Sequence, residues 1–312
     1  MTSSQRVGVQ PPGGAAGGSS LGKARYGTWR AWLFLGPPFA LMAAFVIWPI
    51  VFLAYLSLQR WDGLGPSRFV GFANYARALG DDRFWTSVRN NLTWSAASLV
   101  IPPLIGLGLA IVLARSRVPG RAAFRVLFFL PQMVASTIVA IIWRWMYAPH
   151  GPVNGVLGFL GVDSKPQWLA DSDLALAALF VAFAWVTYGF SMLIFEAAIR
   201  SIDESLFEAA KIDGATFRQE LRHVLIPGIR TAIVTVLIVT AIWSFQIFDL
   251  IYLTTKGGPG DATQVLAIGI YGSTFSARDV GLGAAMAMLL LGAIVSLASL
   301  IAIRRATRPE AR

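Results

Sequence analysis

The sequence contains no cysteine and only two histidines, His150 and His223, among its 312 residues. Without cysteine the chain can form no disulfide bond, no thiol nucleophile and no cysteine-ligated metal site. The two histidines are far apart in sequence, which argues against a histidine-rich metal site. Charged residues are also scarce, at 13%. The composition therefore predicts no metal site.

Apolar residues are abundant instead: 56% of the chain is hydrophobic and the mean hydropathy is +0.62. Six apolar stretches are each long enough to cross about 30 Å of hydrocarbon as a helix. Helices are expected because backbone groups in lipid must form their hydrogen bonds internally. The sequence therefore predicts an all-α integral membrane protein with six transmembrane helices, at about 31–58, 91–114, 126–143, 174–195, 232–248 and 280–303.

Positive charge is distributed unevenly between the two sides that six spans would define. The side that holds both termini carries 17 of the 26 lysines and arginines. Since positive residues stay inside, both termini are predicted to be cytoplasmic. Residues 1–30 are rich in glycine and serine and are predicted to be a disordered tail, and 306–312 a second cytoplasmic tail. This topology accounts for the net charge of +10, so the charge does not indicate nucleic-acid binding.

The sequence gives little support to an enzyme, a channel or a proton-coupled carrier. The spans contain almost no ionisable side chains, which a membrane enzyme, a channel or a proton-coupled carrier would need. Glu196 and Asp249 lie at span ends, where capping or snorkelling explains them. The stretch "GGSSLGKA", residues 17–24, has the spacing of a phosphate-binding loop but lacks the serine or threonine and the preceding strand. We therefore expect no catalytic residue and no nucleotide site.

A compact charged segment, "EAAKIDGATFRQELRHVLIP" from Glu208 to Pro227, separates the fourth and fifth spans. Ser201 or Asp203 can cap a helix through "ESLFEAAKI", and Gly214 suits the left-handed position that ends it. Thr216 and Gln219 form a capping-box pattern for a second helix, which Pro227 is expected to stop. That helix would present one apolar face, made of Phe217, Leu221, Val224 and Leu225. The pattern predicts a helix–glycine–helix elbow, which could dock a partner or merely lie on the membrane surface.

The same segment resembles the EAA motif of permease subunits of binding-protein-dependent ABC importers. The matching positions are Glu208, Ala209, Ala210, Gly214, Val224, Ile226 and Pro227. Val224 and Ile226 replace the more usual isoleucine and leucine, and Asp203 stands where the family has proline. The stretches "RFVGFANYARAL", "DDRFW", "FRVLFFLP" and "IYLTTKGGPGDAT" are similar to the larger permease of maltose-type and glycerol-phosphate-type systems. The resemblance extends over about residues 30–305.

This resemblance implies the type I permease fold in 31–305, in a prokaryotic plasma membrane, with residues 201–227 as the coupling loop. Its residues for contact with an ATPase would be Glu208, Ala209, Ala210, Asp213, Gly214 and Pro227. The implied partners are a second related permease, two ATPase subunits that carry ATP and Mg²⁺, and an extracytoplasmic solute-binding protein. The outer segment 254–263 would contact that binding protein. The chain itself would bind no cofactor.

Polar and aromatic residues at membrane depth are candidates for the substrate pathway, because sugars bind aromatic faces and hydrogen-bonding groups without fixed charge. Gln132 and Ser136 are expected on one helical face, at i and i+4. The full set is Gln132, Ser136, Trp185, Thr187, Tyr188, Trp243, Ser244, Gln246 and Ile247. Helix–helix packing is the alternative role for each of them. The resemblance implies import of a sugar or oligosaccharide; a glycerol-phosphate-like or other polyol solute, or a stand-alone carrier or channel, is the alternative.

Overall fold

The computed structural model describes residues 28–115, 119–162 and 165–306 and is almost entirely helical there. A short hairpin pairs β1 (Gln59–Arg60) with β2 (Arg68–Phe69) in antiparallel register. Of the predicted tails, 1–27 and 307–312 lie outside the described residues, as does the stretch 17–24. The chain divides into two compact units, 1–50 and 51–312.

The first unit is a helix. Its elements are α1 (Thr28–Met42), a π-helical stretch (Ala43–Ile47) and the start of α2 (Trp48–Ser57). From position 32 to position 50 every side chain is exposed except for the half-buried Gly36. Such a uniformly apolar, exposed surface is typical of a helix that faces lipid or another chain.

The second unit contains the remaining helices. They are α3 (Ala73–Leu79), α4 (Asp82–Arg115), α5 (Arg121–Phe129), α6 (Ser136–Met146), α7 (Pro152–Phe159), α8 (Ala175–Arg200), α9 (Glu204–Ile212), α10 (Phe217–Glu220), α11 (Ile226–Gly228), α12 (Arg230–Phe245), α13 (Asp249–Thr254), α14 (Leu266–Tyr271) and α15 (Val280–Ala306). Two further π-helical stretches occur, Leu221–Leu225 before α11 and Gly272–Ser276 after α14.

Four helical segments in the described residues are long and apolar enough to cross a membrane: Trp32–Ser57, Asp82–Arg115, Ala175–Arg200 and Arg230–Thr254. A bent pair, Arg121–Met133 with Ser136–Met146, would make a fifth. The last predicted span contains a shorter apolar stretch, Val280–Ser296. These helices agree with the predicted membrane class, and the described residues contain four, or with the bent pair five, segments long and apolar enough to span.

The helix α4 begins nine residues before the predicted span, and its polar first turns are bonded to residues 261–266. The Asn91 side chain accepts a hydrogen bond from the Leu266 amide at 2.8 Å. The Asn90 amide group donates to carbonyls that belong to Asp261, Ala262 and Gln264. These bonds hold the segment between α13 and α14 against α4.

The third predicted span is broken, and this corrects the placement of Gln132 and Ser136 on one continuous helix. A 3-10 turn, Leu130–Met133, ends in extended backbone at Val134 and Ala135. The axes before and after the break differ by 97°. Pro131 contributes to the break because it has no amide hydrogen to donate within a helix.

The fifth span also continues past its predicted end. After α12 the helical ladder stops, and α13 resumes at Asp249. The three residues between these helices, 246–248, face the interior cavity described below. This second interruption lies close to the break in the third span.

A tight contact between α4 and α8 organises the unit. At Gly106 a Cβ atom would lie 2.6 Å from the Ser191 Cβ and 2.7 Å from the Met192 nitrogen. Small residues permit this close approach of two membrane helices. At Gly108, two residues further along α4, nothing lies within 4 Å of such a Cβ atom.

Replacing Gly106 with alanine is therefore expected to lower the melting temperature of the purified protein. The added methyl must separate the helices, which costs about 1–3 kcal/mol. Gly108→Ala is the matched control and should leave the melting temperature nearly unchanged. Equal melting temperatures for the two variants would contradict the packing described here.

Candidate functional site

A cavity of about 240 Å³ lies where the two interrupted helices meet the middle of α8. Residues from the break, from α8 and from the end of α12 line it together. They are Gln132, Val134, Ser136, Val139, Phe183, Val186, Thr187, Trp243, Gln246, Ile247, Phe248, Asp249 and Leu250. Both helix interruptions therefore contribute directly to its wall.

Six of the nine predicted pathway residues line this cavity. Gln132 and Ser136 do so from the two sides of the 97° break rather than from one helical face. Thr187 lines it from α8, where its hydroxyl donates to the Phe183 carbonyl at 2.9 Å. The others are Trp243, Gln246 and Ile247.

The other three lie outside the cavity wall. Ser244 is fully buried, and its hydroxyl lies 2.9 Å from the Ser95 hydroxyl, between α12 and α4. The Trp185 ring packs edge-on against Trp143, with centroids 5.9 Å apart. Tyr188 contacts the Phe128 ring instead, at 6.4 Å. For these residues the geometry is that of helix packing.

The cavity offers hydrogen-bonding groups and an aromatic face. The Gln132 side-chain oxygen is buried and has no hydrogen-bond partner among the described residues. A buried carbonyl without a partner is uncommon, and a donor from a water molecule or from a ligand would satisfy it. The centroid of the Trp243 ring lies 4.9 Å from that of Phe190. Trp243 is only half-buried, so part of its ring remains available for contact with a ligand.

Charge in the cavity wall is limited to one carboxylate. Asp249, the first residue of α13, is exposed to the cavity, and none of the described lining residues is basic. The sequence offered a capping role for Asp249 and gave no sign of Phe183, Phe248 or Leu250 as lining residues. Phe248 and Leu250 flank or belong to the break at 246–248, and Phe183 faces it from α8; single-sequence periodicity reveals neither the break nor that contact.

The predicted elbow has the expected local geometry. Asp203 caps α9, since its carboxylate accepts from the Ser205 amide at 3.0 Å, and this bond lowers the pKa of Asp203. Gly214 has φ 71°, and the Ala215 and Gly214 amides donate to the Ala210 and Lys211 carbonyls. These two bonds form a complete Schellman motif.

The second half of the elbow departs from prediction at its end. The Thr216–Gln219 capping box is present, but the helix runs on through the π-helical stretch and Pro227 to Gly228. Pro227 has no amide hydrogen to donate within the helix, and the π-helical stretch lies directly before it. The bend falls at Ile229 instead.

Exposure divides the elbow into an inner and an outer surface. Leu221, Val224 and Leu225 pack into an apolar core, whereas Phe217, predicted on the same face, is 64% exposed. The predicted coupling residues are exposed, except for the half-buried Ala210: Glu208, Ala209, Asp213, Gly214 and Pro227. Ile212, at 86% exposure, adds an apolar side chain to this outer surface.

Ionic contacts attach the elbow to the membrane helices. Arg115, the last residue of α4, pairs with the buried Glu220, and its guanidinium lies 4.0 Å from the Phe207 ring centroid. The Phe207 ring belongs to an apolar core that also contains ends of α4, α8 and the start of α12. Arg115 and Phe207 thus connect α9 and α10 to the ends of these membrane helices.

A second ionic cluster joins α5 to α8. Glu196, only 2% exposed, accepts hydrogen bonds from Arg125 at 2.7 and 2.9 Å. It also accepts two from Arg200, at 2.6 and 3.1 Å. The sequence placed Glu196 at a span end with a capping or snorkelling role; the structure shows it paired with two arginines.

Comparison with known proteins identifies relatives over most of the chain. Residues 106–308 match the family described as the binding-protein-dependent transport system inner membrane component. A probable ABC transporter permease protein of Pyrococcus horikoshii is 38% identical and covers 83% of this chain and 89% of its own length. The trehalose/maltose transport system permease protein of Thermococcus litoralis is 31% identical, and the alignment covers 85% of this chain and 90% of that protein.

A solved structure shares the fold. The crystal structure of a bacterial ABC transporter involved in the import of the acidic polysaccharide alginate aligns with a TM-score of 0.77. The alignment covers 90% of this chain and 96% of that one, at 23% identity. This chain therefore shares its fold with a chain of that ABC transporter.

Proposed function

Because this chain belongs to the family of binding-protein-dependent transport system inner membrane components, we propose that it is the permease subunit of an ATP-driven importer for a sugar or oligosaccharide. It is a multi-pass protein of the prokaryotic plasma membrane. The proposal includes six spans, cytoplasmic termini and a disordered N-terminal tail. Its partners would be a second permease, two ATPase subunits with ATP and Mg²⁺, and an extracytoplasmic binding protein.

The observation that carries the sugar assignment is the cavity at the helix breaks. It combines an aromatic face, two amide side chains, hydroxyl groups and the unpartnered Gln132 oxygen. Such a set suits a neutral polyhydroxylated solute, which needs hydrogen bonds and stacking but no counter-ion. The trehalose/maltose permease among the relatives supports the same class.

The lining disfavours the glycerol-phosphate alternative. Phosphate recognition ordinarily uses arginine, lysine or a helix N-terminus. Although α6 and α13 begin at the lining residues Ser136 and Asp249, none of the lining residues in the described part of the chain is basic, and the Asp249 carboxylate would repel a phosphate. A stand-alone carrier would leave the exposed outer surface of the elbow without a role.

The elbow would transmit the energy of ATP hydrolysis. Its outer surface around Glu208, Ala209 and Ile212 is exposed and would fit a cleft of an ATPase subunit. Its inner surface is packed against the ends of three membrane helices. A rigid element with these two surfaces would convert closure of the ATPase dimer into a tilt of those helices.

Trp243→Ala and Gln132→Ala test the cavity as the substrate site. Each variant is expected to reduce ATP-driven uptake into proteoliposomes roughly five- to tenfold, since a stacking or hydrogen-bonding contact of about 1 kcal/mol is lost. Trp145→Ala is the control, because Trp145 is 64% exposed and does not line the cavity. Unchanged uptake kinetics in both cavity variants would place the substrate elsewhere.

A further inference from the structure

Four aromatic rings form a continuous series that starts in the cavity wall; we refer to Phe248, Tyr252, Tyr271 and Phe275 as the aromatic track. The Phe248 ring is stacked on Tyr252 at 5.0 Å and lies 5.5 Å from Tyr271. Tyr252 and Tyr271 are 4.9 Å apart, and Phe275 follows Tyr271 at 5.0 Å. Each ring therefore contacts the next.

Two separate elements supply these rings. Phe248 and Tyr252 come from the start of α13, four residues apart, so they share one helical face. Tyr271 ends α14, and Phe275 lies four residues later in the π-helical stretch. Asn91 holds α14 in place by accepting a hydrogen bond from the Leu266 amide. The fold thus brings the two pairs into contact, with the Tyr271 ring tilted against Phe248 and edge-on to Tyr252.

The track runs from the interior to the surface. Phe248 lines the cavity, Tyr252 and Tyr271 are half-buried, and Phe275 is 68% exposed. Phe248 and Tyr252 also pack against the apolar core that contains Trp94, so they are open on one side only. The track therefore leads from the cavity wall to the exposed ring of Phe275.

The chemistry of this surface suits a sugar. The face of a pyranose ring is made of C–H groups that pack on aromatic faces, and its hydroxyls bond to polar groups at the ring edges. Here the Tyr252 and Tyr271 hydroxyls, 3.3 Å apart, lie at the middle of the track. A lipid chain would need no such hydroxyls, and an anionic solute would find no cation among the four residues.

We infer that the aromatic track is a second sugar-binding site, along which the transported sugar passes between the extracytoplasmic side and the cavity. The inference rests on the proposed function, since the occupant is the same neutral sugar. It assigns a binding role to Tyr252, Tyr271 and Phe275, which do not line the cavity. Stacking on successive rings would let the sugar move without losing all its contacts at once.

The test uses the complete complex in proteoliposomes, with its binding protein present at saturation. Maltose, trehalose and lactose serve as probes, and the one that most stimulates ATP hydrolysis by the wild type is used for uptake. Tyr271→Leu and Phe275→Leu are expected to slow uptake roughly five- to tenfold. Tyr271→Phe, which keeps the ring, should restore at least half of the wild-type rate.

Phe72→Leu is the matched control, because its ring is 76% exposed but contacts Tyr75 outside the track. Its uptake should equal that of the wild type. Co-purification of the ATPase subunits reports that each variant is folded. If the leucine variants of the track transport like Phe72→Leu, the inference is overturned while the cavity assignment stands. If no probe stimulates the wild type, the proposed function and the inference both fail.

A second measurement uses the absence of cysteine from the chain. Phe275→Cys introduces a single thiol at the outer end of the track, and Phe72→Cys introduces one away from it. The stimulating sugar at high concentration, compared with sorbitol, should slow maleimide labelling of the first thiol at least threefold and leave the second unchanged. Equal labelling rates at position 275 in both solutions would contradict sugar binding there.

Discussion

Gly214→Val is expected to abolish the stimulation of ATP hydrolysis by the sugar-loaded binding protein and to reduce uptake at least tenfold. Gly214 has φ 71°, a left-handed conformation that costs a β-branched residue about 1–2 kcal/mol or more. Nothing lies within 4 Å of an added Cβ atom, so the effect comes from the backbone and not from a clash. Valine would change the turn after α9 and displace the outer surface of the elbow.

Two variants separate this effect from general strain. Gly214→Asn should retain most of the coupling, because asparagine tolerates the left-handed region. Gly120→Val carries the same strain elsewhere, at φ 72° and also with nothing within 4 Å. In Gly120→Val, the sugar-loaded binding protein should still stimulate ATP hydrolysis as in the wild type. If Gly120→Val abolished this stimulation as fully as Gly214→Val, the effect would not be specific to the elbow, and its proposed role in coupling would be contradicted.

The second large effect is expected at the buried carboxylate of α8. Replacing Arg125 and Arg200 together with methionine leaves Glu196, which is 2% exposed in this structure, without its two cations. We expect this change to lower the free energy of unfolding by about 3 kcal/mol. This value is at the lower end for buried ion pairs, because the two arginine side chains are themselves 42% and 40% exposed. The melting temperature of the detergent-purified complex measures this loss.

The triple variant with Glu196→Met added is the matched control. It removes the buried charge as well as its partners, and apolar replacement of a whole buried ionic cluster is often neutral. Its melting temperature should return close to the wild-type value. A triple variant as unstable as the double one would show that packing, and not the unpaired carboxylate, causes the loss.

The sequence predicted the elbow better than the cavity, for physical reasons. Capping at Asp203, the capping box at Thr216 and the left-handed Gly214 depend on residues within four positions of one another. The ionic contact from Arg115 to Glu220 joins residues more than a hundred positions apart, so no local pattern contains it.

Gln132 and Ser136 line one cavity although the geometry predicted for them was wrong. Gln132 and Ser136 were predicted on one helical face and instead lie on either side of a 97° break. Pro131 marked a disturbed backbone, but the close contact that fixes the break involves Gly189 of α8, where a Cβ would lie 3.0 Å from the Phe129 Cα. Tertiary contacts of that kind decide whether a proline kinks a helix or ends it.

The most direct test of the account is ATP hydrolysis by the purified complex that contains this chain, measured with its binding protein in the presence and absence of sugar. We predict a several-fold increase in hydrolysis only when the binding protein carries sugar, and loss of that increase in Gly214→Val. Hydrolysis that no sugar-loaded binding protein alters, or sugar transport by this chain alone without ATP, would contradict it.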